Sequence, residues 1–223
     1  MDIKNINYEY FLDLSLRMTY HSNAIEGNTL TLNETATIIL DSTIPGSKSV
    51  REVFEVLNHK RAIDYMISEL ENDKKLDIYV IKSINKEILD RLNDNAGNFK
   101  RNSNAIIGAN FETSTPSQAP ILTKNWIENL NYRLELCKND DEKLLEILNS
   151  HIEFERIHPF SDGNGRMGRL IMMYLCFQEK IAPFVIEKED RALYMSYLRE
   201  QNVDIIFEKV KELQKFEQKR IDK

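Results

Sequence analysis

Two cysteines, five prolines and seven glycines are few for 223 residues, and each shortage removes a class of explanation. Cys137 and Cys176 cannot build a disulfide framework, and neither belongs to a Cys/His cluster with metal-ligand spacing. A reducing cytoplasm is therefore the expected compartment. The longest apolar run, near Leu170 to Phe177, falls short of the roughly 20 residues that a membrane-spanning helix needs. The N-terminus opens on polar Asp2, Lys4 and Asn5, so neither a signal peptide nor a membrane partner is expected. Positive charge is also lacking. With a net charge of −6 and a pI near 5.4, the chain offers no general basic face for a phosphate backbone. Nucleic acid is excluded as an expected partner, and any nucleotide has to be gripped by a local cluster of cations. No repeat or low-complexity segment is present.

The length suits one main domain with a proper core. Scarce Gly and Pro leave long stretches that read with helical period, so the expected fold is mainly α. Apolar residues recur at three- and four-residue intervals from about Tyr8 to Ile25, Asn33 to Asp41, Ser49 to Glu71, Asp77 to Leu92, Lys124 to Lys138 and Glu142 to Ile157. In the third run, Val53, Leu57, Met66 and Leu70 are expected to form one buried stripe. Thr31 to Glu34 and Ser47 to Val50 supply polar caps for the runs that follow them. From Phe99 to Ile121 the character changes to Asn, Ser, Thr, Gly and Pro around the short apolar stretch Ala105-Ile106-Ile107-Gly108. That pattern reads as a small β-hairpin flap, or alternatively as an irregular surface loop.

The richest chemistry lies in His158-Pro159-Phe160-Ser161-Asp162-Gly163-Asn164-Gly165-Arg166-Met167-Gly168-Arg169, a loop that runs into a helix. The first N–H groups of a helix have no internal partner, and Gly163 and Gly165 lack side chains that would block an oxyanion from approaching them. Arg166 and Arg169, three apart, project from one side of the new helix as two guanidinium forks. Asp162 precedes this cradle, and a carboxylate beside polyphosphate commonly works through a divalent cation. His158 can accept a proton near neutral pH. Gly168, in a helix interior, costs about 1 kcal/mol relative to Ala, which suggests that another element packs closely there.

This segment resembles the signature of the Fic family, HxFx(D/E)GNGRxxR, at every fixed position. The resemblance implies a helical domain with a flap, divided into an N-terminal segment, 1–45, and a catalytic core, 46–223, with the flap at about 99–121 and the motif at 158–169. It implies transfer of AMP from ATP to a Ser, Thr or Tyr hydroxyl of a target protein, which could be the chain itself. His158 would be the base, Asp162 the Mg²⁺ ligand, and Gly163, Asn164 and Gly165 the anion nest, with Arg166 and Arg169 on the outer phosphates. Near the N-terminus, Ser22-Asn23-Ala24-Ile25-Glu26-Gly27-Asn28 matches the family's inhibitory pattern (S/T)xxxE(G/N). Gly27 is placed as a left-handed helix cap, and Ser22 faces the same way as Glu26. The implied device is Glu26 pairing with Arg169 and so withholding it from the γ-phosphate.

Tyr194, Leu198 and Asn202 are spaced four apart and are read as one helical stripe for adenine, with core packing of the first two as the competing reading. Ile106, Ile107 and Gly108 would lie in the flap, whose edge the family uses to align target main chain. Other transfers or AMP removal by the same pocket, and a catalytically idle nucleotide-binding module, are the alternative functions. The sequence admits a homodimer without requiring one.

Overall fold

The computed structural model describes residues 3–105 and 111–222. Among the described residues the α-helices are α1 (Tyr8–Ile25), α2 (Leu32–Leu40), α3 (Val50–Glu71), α4 (Ile78–Ile88), α5 (Ala119–Leu136), α6 (Asp140–Ile157), α7 (Asn164–Gln178), α8 (Arg191–Glu200) and α9 (Phe207–Ile221). Local chemistry accounts for their starts. The Asn7 and Asn139 side chains accept backbone N–H bonds at the heads of α1 and α6, and Asp77 accepts two from Tyr79 and Val80 at the head of α4. Thr31 and Glu34 form a reciprocal capping box on α2, satisfying donors that a helix start leaves unpaired. Ser49 precedes α3 but makes no side-chain cap bond. Pro120 lies in the first turn of α5, where its missing N–H costs nothing, so this helix opens earlier than the expected Lys124.

The organising element is α7. Every residue from Arg166 to Phe177 is buried, and α1, α3, α4 and α6 all pack on this helix. A helix apolar on nearly all sides is a core helix, and here the charged groups, Arg166 and Arg169, lie in its first two turns. The main core takes in Leu14, Met18 and Ile25 of α1 as well as the interiors of α3 to α7, so the N-terminal segment is packed into the same interior. A satellite cluster of Leu30, Ile38, Val53 and Val56 joins α2 to α3. The buried stripe of α3 runs through Val53, Val56, Ile63, Met66 and Leu70. Leu57, expected within it, is half-exposed because its angular position falls to the side of a stripe centred on Val56 and Ile63. No described helix is long and apolar enough to cross a membrane.

No strand runs through the described part of residues 99–121. Phe99 forms a single antiparallel bridge with Phe160, and their rings stack at 5.5 Å. The expected flap residues Ile106, Ile107 and Gly108 lie outside the described residues. Both flanks of the segment are tied to the loop after α6. Lys100 Nζ donates to Asn104 Oδ1 at 2.8 Å, Thr113 Oγ1 at 3.3 Å and Ile157 O at 3.3 Å. Asn104 Nδ2 donates to Phe160 O at 2.8 Å, and Ser114 Oγ to Ile157 O at 2.6 Å. Lys100 is buried without a carboxylate partner among these contacts, and burial pushes its ammonium pKa down to about 8.

The helix-interior Gly168 is explained by α6. A Cβ there would lie 2.5 Å from His151 Cε1 and 2.8 Å from Glu155 Oε1, so α6 and α7 touch at a place where no side chain fits. Gly168→Leu is expected to lower unfolding free energy by about 2 kcal/mol through overpacking, despite its better helix propensity. Urea denaturation followed by circular dichroism measures it, and unchanged stability would show that the contact can relax.

Candidate active site

α6 ends at Ile157, and His158 closes it in the left-handed region at φ 47° and ψ 59°. A non-glycine residue adopts that conformation at a cost of roughly 1–2 kcal/mol, so the surroundings have to impose it. They do so on both sides. The buried Asn164 side chain accepts from Phe160 N at 3.0 Å and donates to Phe160 O at 2.8 Å. Lys100 N donates to Pro159 O at 2.9 Å, and the Phe160 ring is fully buried. Asn164 thus builds the loop through its side chain and offers only its backbone to an anion.

The imidazole of His158 faces Glu155, one turn earlier on α6, with Nδ1 3.4 Å from Oε2. Burial alone would raise the Glu155 carboxyl; contact with His158, backed by His151 and Arg169, holds it below its ordinary value. A carboxylate on the Nδ1 side favours the proton there and leaves the lone pair on Nε2, the form that a general base requires.

Gly163 caps α7 at φ 75°, and a Cβ on it would press on Ile88 at 3.3 Å. The next N–H groups, of Asn164, Gly165 and Arg166, open the helix and have no intrahelical partners. Asn85 helps hold the approach, accepting from Gly97 N at 2.9 Å and donating to Asp162 O at 3.2 Å. Asp162 Oδ1 accepts from Gly163 N at 2.6 Å. Arg166 is buried, yet its nearest carboxylate oxygens lie at 3.5 Å on Asp162 and 3.9 Å on Glu55, and its Nε has no partner. A buried guanidinium so loosely paired is a cation that awaits an anion.

Arg169 is fully engaged. Its Nε donates to Ser22 Oγ at 3.0 Å, and its Nη2 to Ser22 O at 2.8 Å and Glu26 Oε1 at 2.7 Å. Nη1 reaches Tyr194 Oη at 3.4 Å. Burial would lower its pKa, but Glu26 and then Tyr194 raise it above the ordinary value, so the charge is permanent. Glu26 is aimed by a helix terminus. It caps α1, Gly27 follows at φ 99°, and the Gly27 and Asn28 N–H groups return to Ala24 O and Asn23 O at 3.0 and 3.1 Å, which is the Schellman arrangement. A Cβ on Gly165 would lie 2.3 Å from Glu26 Oε1. The carboxylate therefore rests on the opening turn of α7, where helix N–H groups and Arg169 both favour negative charge.

The sequence profile of the Fic/DOC family matches residues 75–176. These residues form a Fic/DOC family domain. It is 31% identical to the protein adenylyltransferase Fic of Aedes aegypti over 186 residues, which is 82% of this chain and 36% of that protein. For the protein of the same name from Nematostella vectensis the identity is 29% over 188 residues, 82% of this chain and 42% of the relative. The chain thus spans well under half the length of these curated relatives. Among solved structures, Fic-1 from C. elegans superposes with a TM-score of 0.81 at 24% identity, covering 94% of this chain and 63% of that one. A Fic domain-containing protein from Bacteroides thetaiotaomicron gives 0.79 at 24% identity, covering 90% and 78% respectively. These two likenesses establish a Fic fold.

Within this Fic site His158, Asp162, Gly163, Gly165, Arg166, Arg169, Ser22 and Glu26 converge around the start of α7. The expected stripe of Tyr194, Leu198 and Asn202 does not survive as a helical face. α8 stops at Glu200, Gln201 turns left-handed at φ 53°, and the Asn202 side chain accepts from Asp204 N at 3.0 Å. Asn strongly favours such capping over continuing a helix. Tyr194 is buried, with its hydroxyl 2.7 Å from His151 Nε2 and its ring under Arg169; it supports the arginine from behind. Leu198 is half-buried on the same helix. Glu155, His151 and His59 escaped sequence reading. The only signal for Glu155 was its place three residues before His158 in a terminal helical turn.

His59, buried beneath Arg166 and Arg169 and 3.2 Å from Thr19 Oγ1, is held well below its ordinary pKa by burial and then by those arginines. Burial, against the pull of Glu155, takes His151 down to about 4. Both are neutral when folded and protonate near 6.5 when unfolded, so the unfolded state binds more protons below that pH. Stability is therefore expected to be flat above pH 6.5 and to fall as pH drops towards 4, by about 2 kcal/mol per histidine at pH 5. Urea titrations at several pH values test this, with His151→Gln expected to flatten the slope; a slope identical to wild type would remove His151 as its source.

Proposed function

We propose that this chain transfers AMP from ATP to a hydroxyl of a protein target, and that Glu26 restrains the transfer. The observation that carries the reading is the convergence, at one helix start, of a base with a free nitrogen, an anion nest and an underpaired buried arginine, with a carboxylate seated on the neighbouring arginine. The names of the relatives support the same chemistry.

In this reading the target hydroxyl gives its proton to His158 Nε2 while its oxygen attacks the α-phosphorus, and pyrophosphate leaves on the opposite side. Glu155 keeps the imidazole oriented. The open N–H groups from Asn164 to Arg166 take the negative charge of the phosphates, and Arg166 completes its pairing on them; such preorganised donors supply most of the stabilisation in phosphoryl chemistry. Among the described residues no group of three metal-binding side chains occurs. A single carboxylate beside a phosphate cradle is nevertheless the donor set Mg²⁺ uses when phosphates supply its other ligands. Asp162 is the residue that would hold it, and the ion would offset phosphate charge. The segment flanked by Lys100 and Thr113, anchored to the base loop, is where target main chain would align. A cytoplasmic setting suits the two free thiols.

Incubation with ATP labelled separately at the α or γ phosphate tests this. Protein-bound α label is expected, reduced about 10²- to 10⁴-fold in His158→Ala. Glu26→Gly is expected to raise it about 10- to 100-fold by freeing Arg169 for a charged hydrogen bond worth roughly 1.5–3 kcal/mol. Bound γ label would identify a kinase, and absence of label in every variant a nucleotide-binding module without transfer. Equal labelling by wild type and Glu26→Gly would dispose of the inhibitory role.

A further inference from the structure

Two arginines are accounted for by the motif, but a third guanidinium stands at the mouth of the same cradle. Arg51 lies in the first turn of α3, more than a hundred residues before the motif, and its side chain is 59% exposed. Its Nε bonds Glu55 Oε1 at 3.1 Å, and its Nη2 lies 3.6 Å from Asp162 Oδ2. Asp162 Oδ1 faces Arg166 Nη2 at 3.5 Å, and Arg166 Nη1 faces Glu55 Oε1 at 3.9 Å. The four side chains close a ring of alternating charge: Arg51, Asp162, Arg166, Glu55.

Only one of the four contacts is short enough to be a hydrogen bond. The others are loose charge contacts: the one between Arg51 and Asp162 is near solvent and worth on the order of 0–1 kcal/mol, and the two at buried Arg166 are too long to be hydrogen bonds. They are thus cheap to exchange. Adding Glu26 and Arg169, the cradle holds three guanidinium groups against three carboxylates and is neutral as a whole. A triphosphate entering it brings several negative charges, and Arg51 and Arg166 each gain by trading a distant carboxylate for a phosphate oxygen in fork geometry. Arg166 has its orphaned Nε to satisfy. Arg51, on a long exposed stem beside Asp162, can swing onto the phosphates with almost no change in burial.

We infer that Arg51 is a third phosphate-binding arginine, held in reserve by Glu55 and Asp162 and contributed by α3 from outside the motif. The inference rests on the nucleotide reading above. In its resting position Arg51 also covers one oxygen of Asp162, so its move to the phosphates uncovers the carboxylate that would hold the metal.

Calorimetric binding of ATP and AMP, in EDTA and on the full chain carrying Glu26→Gly, isolates the contact from metal effects and from transfer. Arg51→Gln is expected to weaken ATP about tenfold while AMP, which lacks the outer phosphates, changes less than about twofold; tenfold corresponds to 1.4 kcal/mol, the size of one charge-assisted hydrogen bond. Glu55→Gln is expected to tighten ATP by releasing Arg51 and Arg166. Unchanged or tighter ATP binding in Arg51→Gln would overturn the assignment, as would an equal loss for ATP and AMP. Failure of the Glu26→Gly parent to bind ATP at all would instead defeat the nucleotide reading itself, with normal thermal melting excluding misfolding as the cause.

Discussion

A permanently charged guanidinium buried at the start of the central helix has to have an anion beside it. Arg169 is 2% exposed, and moving such a charge out of water costs several kcal/mol unless a counter-charge and hydrogen bonds accompany it. Glu26 supplies the charge across 143 residues of sequence. The rest of the site can be traced to that requirement. Ser22 gives two further acceptors, Tyr194 a third and the face of its ring, and His151 fixes the Tyr194 hydroxyl in turn. Gly165 and Gly168 lack side chains because Glu26 sits against one and the His151–Glu155 pair against the other.

The second constraint is backbone strain at His158. Its left-handed conformation ends α6 abruptly and turns the chain back towards the start of α7. Asn164 holds Phe160 from the helix side, and Lys100, Asn104 and Ser114 hold residues 157 to 160 from the other. The base loop is thereby clamped between the cradle and the flanks of the segment beside which a target would lie. A shift of either flank is felt at the imidazole through two or three short hydrogen bonds. That is the kind of support that a catalytic geometry, tolerant of only fractions of an ångström, demands.

Much of this was legible in the sequence where the chemistry was contiguous. The twelve residues from His158 to Arg169 carry base, nest and both arginines in one loop and helix turn, so local rules of helix termini suffice to read them. The helices themselves follow from periodicity and caps, and Glu26 from its short pattern and Gly27. What escaped depends on distant partners. Glu155 means little until His158 folds back on it, and Asn202 looks like the next step of a helical stripe until Gln201 ends the helix. Tyr194 has the same spacing whether it faces a ligand or supports an arginine from inside. Arg51 and Glu55 are an ordinary i, i+4 surface pair in the sequence; only the packing of α3 beside α7 brings them to Asp162 and Arg166. Leu57 failed for a smaller reason, since four-residue steps drift across a helical stripe.

In the proposed reading, restraint and stability are one interaction seen from two sides. Buried Arg169 cannot dispense with an anion, so the Glu26 carboxylate that rests on the start of α7 also completes the fold. The exposure of the two partners is unequal: the Glu26 side chain is 40% exposed where that of Arg169 is 2%. When the pair opens, the carboxylate moves into water at little cost, while the arginine stays where it is and waits for a replacement. In that reading the degree of restraint is set by whatever competes for Arg169, and by how firmly α1 is held. Besides the core packing of Leu14, Met18 and Ile25, that hold includes Arg191 on the Ile25 carbonyl and Asn28 on the Glu55 carboxylate. Asn28 thereby links the turn after α1 to the same Glu55 that shares the ring with Arg51 and Arg166.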